Sequence, residues 1–312
     1  MRMTITGGTG FVDRHLAERL RGLPGAAEAD VVVVSRRTGV AVDDVDALTA
    51  AFAGCDAVAH CAGINRELGD QTFERVHVRG TAAVIEAAKR AGVRKVVLLS
   101  FLRARPWPQS PYHDSKWVAE EMLRSSGLDY TILKAGMIYG HGDHLVDHLS
   151  RTVQTLPLFA SVGLREKTIS PIPVQELVDV IVASLGDRLS RQTVAVRGGE
   201  TLTLSTAVRR VAAVWGRRVV VVPAPLVPHY ALGQVTEWLM TVPLVAKAQV
   251  RMLAEGVTDA TQPAGELPAD LRPRRLFDAE SIRAALPEPG GFGLRDLRII
   301  ARRGSSRRAG RP

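Results

Sequence analysis

Cysteine is scarce in this chain. Only Cys55 and Cys61 occur, too few for a disulfide framework, and both flank or end an apolar run where a small thiol packs as a core residue of a reducing compartment. Lysine is also sparse: Lys89, Lys95, Lys116, Lys134, Lys167 and Lys247 are the only six among 41 basic residues. The net charge of +9 is therefore an arginine charge. It is spread along the chain without interleaved aromatics, which argues against a specific nucleic-acid surface. The densest basic run, Arg302–Arg311, has no ring for base stacking, and residues 301–312 are expected to form a disordered basic tail. No apolar run is long enough to span a bilayer, because Val219–Leu232 is broken by Pro223, Pro225 and Pro228. Peripheral membrane contact stays open. No basic-then-apolar leader precedes the strand-like start at Met1, so the expectation is a cytoplasmic protein.

What is present is regular alternation. β-Branched runs at Arg2–Thr6, Asp30–Ser35, Asp56–Cys61, Lys95–Ser100 and Tyr130–Lys134 are separated or followed by helical spacing at 11–22, 43–53, 73–91, 111–126 and 143–155. Apolar strands alternating with helices predict an α/β fold, a doubly wound parallel Rossmann sheet of about seven strands. A further helix reads over 173–185. Beyond it the pattern loosens into a helix at 203–215, a strand at 218–222 and a long apolar helical stretch at 227–256 broken at Pro243. The expected organisation is a Rossmann domain over 1–190, a smaller C-terminal substrate or interaction domain over 191–300, and the tail.

Two motifs carry chemistry. Thr6-Gly7-Gly8-Thr9-Gly10-Phe11-Val12-Asp13 follows the first strand and opens the first helix, where a glycine turn lets backbone N–H groups approach a pyrophosphate at a helix N-terminus. Tyr112-His113-Asp114-Ser115-Lys116 places a phenol and an ammonium four residues apart, on one helix face. Together they point to a nicotinamide-dinucleotide protein.

These blocks, with Cys55-Asp-Ala-Val-Ala-His-Cys-Ala-Gly63, Val76-His-Val-Arg-Gly-Thr81, Gly92–Ser100 and Ser126–Gly140, resemble the short-chain dehydrogenase/reductase superfamily. The resemblance is to its extended and atypical branch, which includes sugar-nucleotide epimerases, dehydratases and the NADH-binding accessory subunit of respiratory complex I. It covers residues 1–185 densely and the rest in outline. It implies cofactor contacts from Gly7, Gly8, Thr9, Gly10, Phe11 and Val12, from Cys61, Ala62 and Gly63 beside the ribose, and from Ser100 and Lys116. It also implies that Tyr112 moves the proton while Lys116 lowers its pKa and binds ribose. Asp43 or Asp44 lies where the family contacts adenine, and both remain open.

Three positions depart from the family pattern. Asp13 replaces the third glycine, putting a carboxylate at a helix start that should receive a pyrophosphate. His77 replaces the tetrad asparagine and Leu102 its serine or threonine. Two classes therefore stay open: an NAD(P)(H)-dependent oxidoreductase acting on a carbonyl or hydroxyl substrate, and a dinucleotide-binding accessory protein without turnover. A nucleotide-sugar epimerase or dehydratase is the second alternative.

The second strand ends in Ser35-Arg36-Arg37, with no acid for the ribose hydroxyls, so NADP(H) is expected over NAD(H). His141, Asp143, His144, Asp147 and His148 are read as a pocket border rather than a metal site. Tyr230, Trp238, Leu239 and Met240 suggest an apolar substrate, such as a quinone or lipid-like carbonyl compound. The partner read from sequence is a small-molecule substrate, with no specific nucleic acid; many members of the family dimerise, and a homodimer stays open here.

Overall fold

The structure, a computed structural model, describes residues 1–7, 10–24, 31–107, 109–239, 247–293 and 296. The chain folds as two compact units, and the first takes Met1–Ile138, Ile172–Gly199 and Asp259–Arg274. The second takes the described residues of Tyr139–Pro171, of Glu200–Thr258 and from Arg275 onward. A single cut at residue 190 is therefore not the boundary. A parallel sheet recruits each strand through a long crossover, and here the crossovers are long enough to hold most of the second unit. The tail 301–312 lies outside the described residues.

In the first unit the strand–helix alternation forms as the sequence predicts. The elements are β1 (Met3–Thr6), α1 (Phe11–Arg21), β2 (Val31–Val34), α2 (Val45–Phe52), β3 (Ala57–His60), α3 (Gly80–Ala91), β4 (Lys95–Phe101), α4 (Pro111–Arg124) and β5 (Asp129–Ala135). The sheet is completed from further along the chain, after α5 (Leu145–Thr155) and β6 (Leu158–Val162) of the second unit, by α6 (Val174–Leu185) and β7 (Gln192–Val196). The last strand, Gly265–Glu266, is counted β9 below.

The seven strands are all parallel, in the order β9-β7-β5-β4-β3-β1-β2. The chain runs outward from β1 to β2 and then returns across β1 to β3. The carboxyl ends of β1 and β3 are thus the topological switch point, where loops diverge and leave a crevice. Alternate strand residues serve opposite faces. Ala57, Ala59, Val97 and Leu133 face Leu16 and Leu20 of α1 and Ile181 of α6. Val58, Val96, Leu98 and Ile132 face Leu48 and Phe52 of α2, Val84 of α3 and Leu123 of α4. Both faces of the sheet are covered, as parallel sheets require.

The second unit holds α5 and β6 together with α7 (Leu204–Val214), β8 (Val220–Ala224), α8 (Leu226–Leu239), α9 (Lys247–Glu255) and α10 (Ala279–Ala285). β6 and β8 form a two-stranded parallel ribbon. The strand expected at 218–222 starts two residues later and includes Pro223, which an edge strand tolerates because it need not donate on its open side. The helical stretch expected over 227–256 is present as α8 and α9, and Pro243, where the break was expected, lies outside the described residues. Val146 and Leu149 of α5 and Val208 and Val211 of α7 are buried. Tyr139 packs edge-to-face on Phe277 with centroids 4.9 Å apart, and its hydroxyl donates to the Leu276 carbonyl at 3.3 Å. Among the described residues no helix is long and apolar enough to cross a membrane.

Candidate functional site

At the end of β1 the chain turns back on itself. Gly7 has φ +98°, a left-handed conformation, donates to the Val34 carbonyl at 3.0 Å and accepts from the Gly10 N–H at 2.9 Å. A Cβ on Gly7 would stand 2.8 Å from the Ala62 Cα, so the turn takes glycine for two independent reasons. A Cβ on Gly10 would collide with the Asp13 carboxyl. Gly10 caps α1 without a side chain, so the first-turn N–H groups and the positive end of the helix dipole are left for a ligand or for water. Val12 is buried in the sheet-facing core, and Phe11 is half-buried with its ring on His15 at 5.3 Å. Gly8 and Thr9 lie outside the described residues.

Asp13 occupies the space those glycines leave. It is the third residue of α1, is only 3% exposed, and its carboxyl lies against Gly10. Its second oxygen, Oδ1, is buried with no partner among the described residues. Burial raises this carboxyl to about 7, against the pull of the Gly10 and Asp13 N–H groups and Cys61. The Cys61 thiol is in turn pushed up by burial and by Asp13. The carboxyl lies on the side of the Gly7 and Gly10 turn.

The end of β3 supplies the opposite wall. Ala62 meets Gly7, and beside Gly63 lie two functional side chains: a Cβ there would be 3.1 Å from Lys116 Nζ and 3.6 Å from His77 Nε2. Lys116 is buried on α4 and donates to the Leu99 carbonyl at 3.1 Å. Burial lowers its ammonium to about 8, while Cys61 and Glu120 push it back up. One turn earlier, Tyr112 lies among the rings of Phe101, Phe73, His77 and His113, with centroids 5.2, 5.6, 5.8 and 5.8 Å away. Burial raises its phenol, so it keeps its proton at neutral pH.

His77 is set by a π-helical turn, Glu74–Arg79, that precedes α3; such wide turns recur where a side chain must be re-aimed. The Ile64 N–H donates to Nε2 at 3.1 Å, which leaves the proton on Nδ1 to donate to Ser115 Oγ at 2.9 Å. The Ser115 hydroxyl donates to the Tyr112 carbonyl at 3.1 Å. Burial, with Lys116 and His60, holds His77 neutral. It ties the loop after β3 to α4. The adjacent His60, its ring nitrogens 2.6 Å from Thr6 Oγ1 and 3.1 Å from Thr81 Oγ1, is lowered by burial to about 3 and is also neutral.

Ser100 is committed elsewhere. Its hydroxyl donates to Glu120 Oε1 at 2.5 Å, and Glu120, fully buried, also binds Lys134 at 3.2 Å and Arg124 at 2.6 Å. Lys134 donates onward to the Ala104 carbonyl at 2.9 Å and to Thr261 at 3.2 Å. This network fixes the loop after β4, where Leu102 is fully buried with its N–H on the Ala135 carbonyl. No hydroxyl is offered at that position.

At the end of β2, Ser35 accepts from the Thr38 N–H and caps a 3-10 turn, Arg36–Thr38. Arg36 and Arg37 are exposed, and their side chains have no partner among the described residues. The two acids the sequence leaves open differ in use. Asp44 caps α2 by accepting from the Ala47 N–H at 3.0 Å. Asp43 is held by Arg75 at 2.8 and 3.3 Å, which also lowers its pKa. In the second unit, Asp143 is spent on its own turn, accepting from Gly140, Val146 and Asp147. Sequence reasoning missed Phe73, Ser115 and the Glu120–Lys134 pair. The last had a signal, since Lys116, Glu120 and Arg124 follow at four-residue spacing on one face.

Residues 8–155 match the family described as NAD(P)H-binding. Over those residues, just under half of the chain, it is similar to NAD(P)H-binding domains, in keeping with the resemblance read from the sequence. Among relatives, it is 36% identical over 94 residues to an uncharacterized sugar epimerase of Bacillus subtilis, covering 28% of this chain and 44% of that one. It is 32% identical to a photosystem II assembly factor of Synechocystis (45% and 46%) and 33% identical to a ceramide reductase of Caulobacter vibrioides (45% and 47%). The matches thus span less than half the length of these relatives. Among solved structures, the NADPH-dependent quinone oxidoreductase of Escherichia coli complexed with NADPH superposes with a TM-score of 0.68 at 19% identity, covering 90% of this chain and 98% of that one. The UDP-glucose 4-epimerase of Thermus thermophilus in complex with NAD gives 0.63 at 22%, covering 91% and 97%. These superpositions establish the Rossmann fold. The first of these two structures holds NADPH and the second NAD.

Proposed function

We propose that this chain is an NADPH-dependent reductase of an apolar carbonyl compound. The observation that carries the reading is that Lys116 Nζ and His77 Nε2 lie beside the Gly63 backbone, with the Tyr112 ring next to His77, while Ala62 of the same segment meets the Gly7 turn. The left-handed Gly7 turn and the start of α1 at Gly10, which has no side-chain cap, support a dinucleotide phosphate at this helix N-terminus. When bound, the cofactor supplies hydride to the carbonyl carbon. Tyr112 Oη, which holds its proton at neutral pH, gives that proton to the carbonyl oxygen. Lys116 offers its ammonium to a ribose hydroxyl and, by its charge, eases loss of the phenolic proton. His77 keeps Ile64 and Ser115 in register without taking part as an acid, because it stays neutral.

The unpartnered Arg36 and Arg37 support NADPH, since two free guanidiniums and no carboxylate follow β2 directly. The Phe73, Phe101 and Trp107 rings around Tyr112 and His113 support an apolar substrate. One observation favours a second reading, a dinucleotide-binding accessory protein: Leu102 leaves the reacting oxygen one hydrogen bond short, worth about 2–4 kcal/mol of barrier. NADPH oxidation against a carbonyl panel, with quinones, long-chain ketones and UDP-sugars included, tests both. Tyr112→Phe should lower turnover by about 10²–10⁴ with NADPH binding retained. Tight NADPH binding with no turnover in the unmodified chain would establish the accessory reading instead, and conversion of UDP-sugars would establish the epimerase class.

A further inference from the structure

The second unit leaves uncovered an apolar face that a water-exposed ribbon should not have. β6 and β8 pair in register, Leu158 with Val220 and Ala160 with Val222, so these four side chains stand on one face of the ribbon. All four are exposed, Leu158 at 53% and Val220 at 62%, whereas Ser161 on the other face is buried. Parallel strands normally have both faces covered. The helix that follows repeats the inversion: in α8 the buried positions are His229, Gly233 and Thr236, while Leu226, Val227, Leu232 and Val235 are exposed. His229 faces inward onto the Pro225 and Ala160 carbonyls. Between ribbon and helix lies a hollow of about 380 Å³ walled by Val162, Leu164, Pro225, Leu226 and Ala254, with Arg165 at its edge.

Most of the charges beside this surface are basic, with Glu166 and Glu255 as the neighbouring acids. Arg165, Lys167, Arg217 and Arg218 are exposed, and none of their side chains has a partner among the described residues. Glu166 and Glu237 are the only acids in 156–175 and 201–254, and Glu166 is bound to the Ser205 N–H at 3.1 Å. A second copy is a poor occupant, because a two-fold interface brings the same cations against themselves. Aliphatic side chains, an aliphatic hollow and uncompensated cations are what a monolayer of anionic amphiphiles complements, acyl carbon to the apolar face and headgroup to the guanidiniums. We propose that β6, β8 and α8 form a docking surface for an anionic lipid membrane, independent of the cofactor reading.

Flotation of the full chain with vesicles tests this. It should float with vesicles of equal parts phosphatidylcholine and phosphatidylglycerol and not with phosphatidylcholine alone, and high salt should release it. Val227→Asp, and Arg217→Glu with Arg218→Glu, should each weaken partitioning by roughly tenfold or more with an unchanged thermal midpoint. Flotation that all these variants retain would assign it to another basic segment and overturn the proposal. So would equal flotation with both vesicles. Absence of flotation, together with a concentration-dependent dimer that Val227→Asp dissolves, would make the occupant a second copy.

Discussion

Two helix starts, one in each unit, bury an aspartate, and the two carboxyls are used differently. Asp13 in α1 and Asp143 before α5 are 3% and 4% exposed, and burial raises both to about 7. Asp143 has both oxygens occupied: Oδ2 accepts from Gly140 at 2.8 Å, and Oδ1 from Val146 at 2.8 Å and Asp147 at 3.3 Å. Asp13 leaves Oδ1 without a partner among the described residues and points into the glycine turn. A raised carboxyl pKa at a helix start therefore does not by itself mark function. The unused acceptor is what separates the two, because a buried polar atom with no partner costs stability that water, a ligand or a proton can recover.

The sharpest way to break this comparison is Asp143→Ala. It strands three backbone N–H groups and should cost about 3 kcal/mol, read as a lower denaturation midpoint. Stability equal to the parent would show that the Asp143 turn is not structural.

Asp13→Asn comes next and is read through pH. A folded pKa of about 7 against 3.8 unfolded means the stability that Asp13 contributes is full below pH 3.8 and is lost as pH rises through about 7. Asp143 gives a slope of the same sign, so the two variants must be followed separately. The amide removes the Asp13 slope. By the same charge argument, NADPH affinity of the parent should fall between pH 6 and 8, and Asp13→Asn should restore it by roughly tenfold at the upper end. Identical titration curves at both pH values would place the carboxylate out of reach of the pyrophosphate.

Removing both guanidiniums, Arg36→Ala with Arg37→Ala, should erase a preference for NADPH over NADH of about tenfold, measured by competitive titration. The smallest effect belongs to an exposed helix start. Asp44→Ala removes the α2 cap and should cost about 1 kcal/mol while leaving NADPH affinity as it was.

Much of this was legible beforehand. The glycine turn, the Tyr112–Lys116 pair and the strand alternation each depend on neighbours within a few residues, and local geometry is what a linear pattern records. The unit boundary was not legible, because β7 and β9 join the sheet only after the chain has passed through the second unit. Nor was the fate of Ser100. Its hydroxyl is claimed by a carboxylate twenty residues away, and that pairing needs β4 and α4 to be packed.

The sequence by itself determined that a parallel sheet would form with a tight glycine turn after its first strand, because side-chain periodicity and glycine's access to positive φ act over one or two turns of chain. Only the tertiary structure decided what Asp13, His77 and Leu102 do. Each is polar or apolar in a place where either could be accommodated, and its role follows from which buried donors and acceptors are brought to it. Asp13 meets Gly10 and Cys61, His77 meets Ile64 and Ser115, and Leu102 is turned into the core. Desolvation then fixes their charge states, since a group buried by other segments of the chain cannot borrow water to stay ionised.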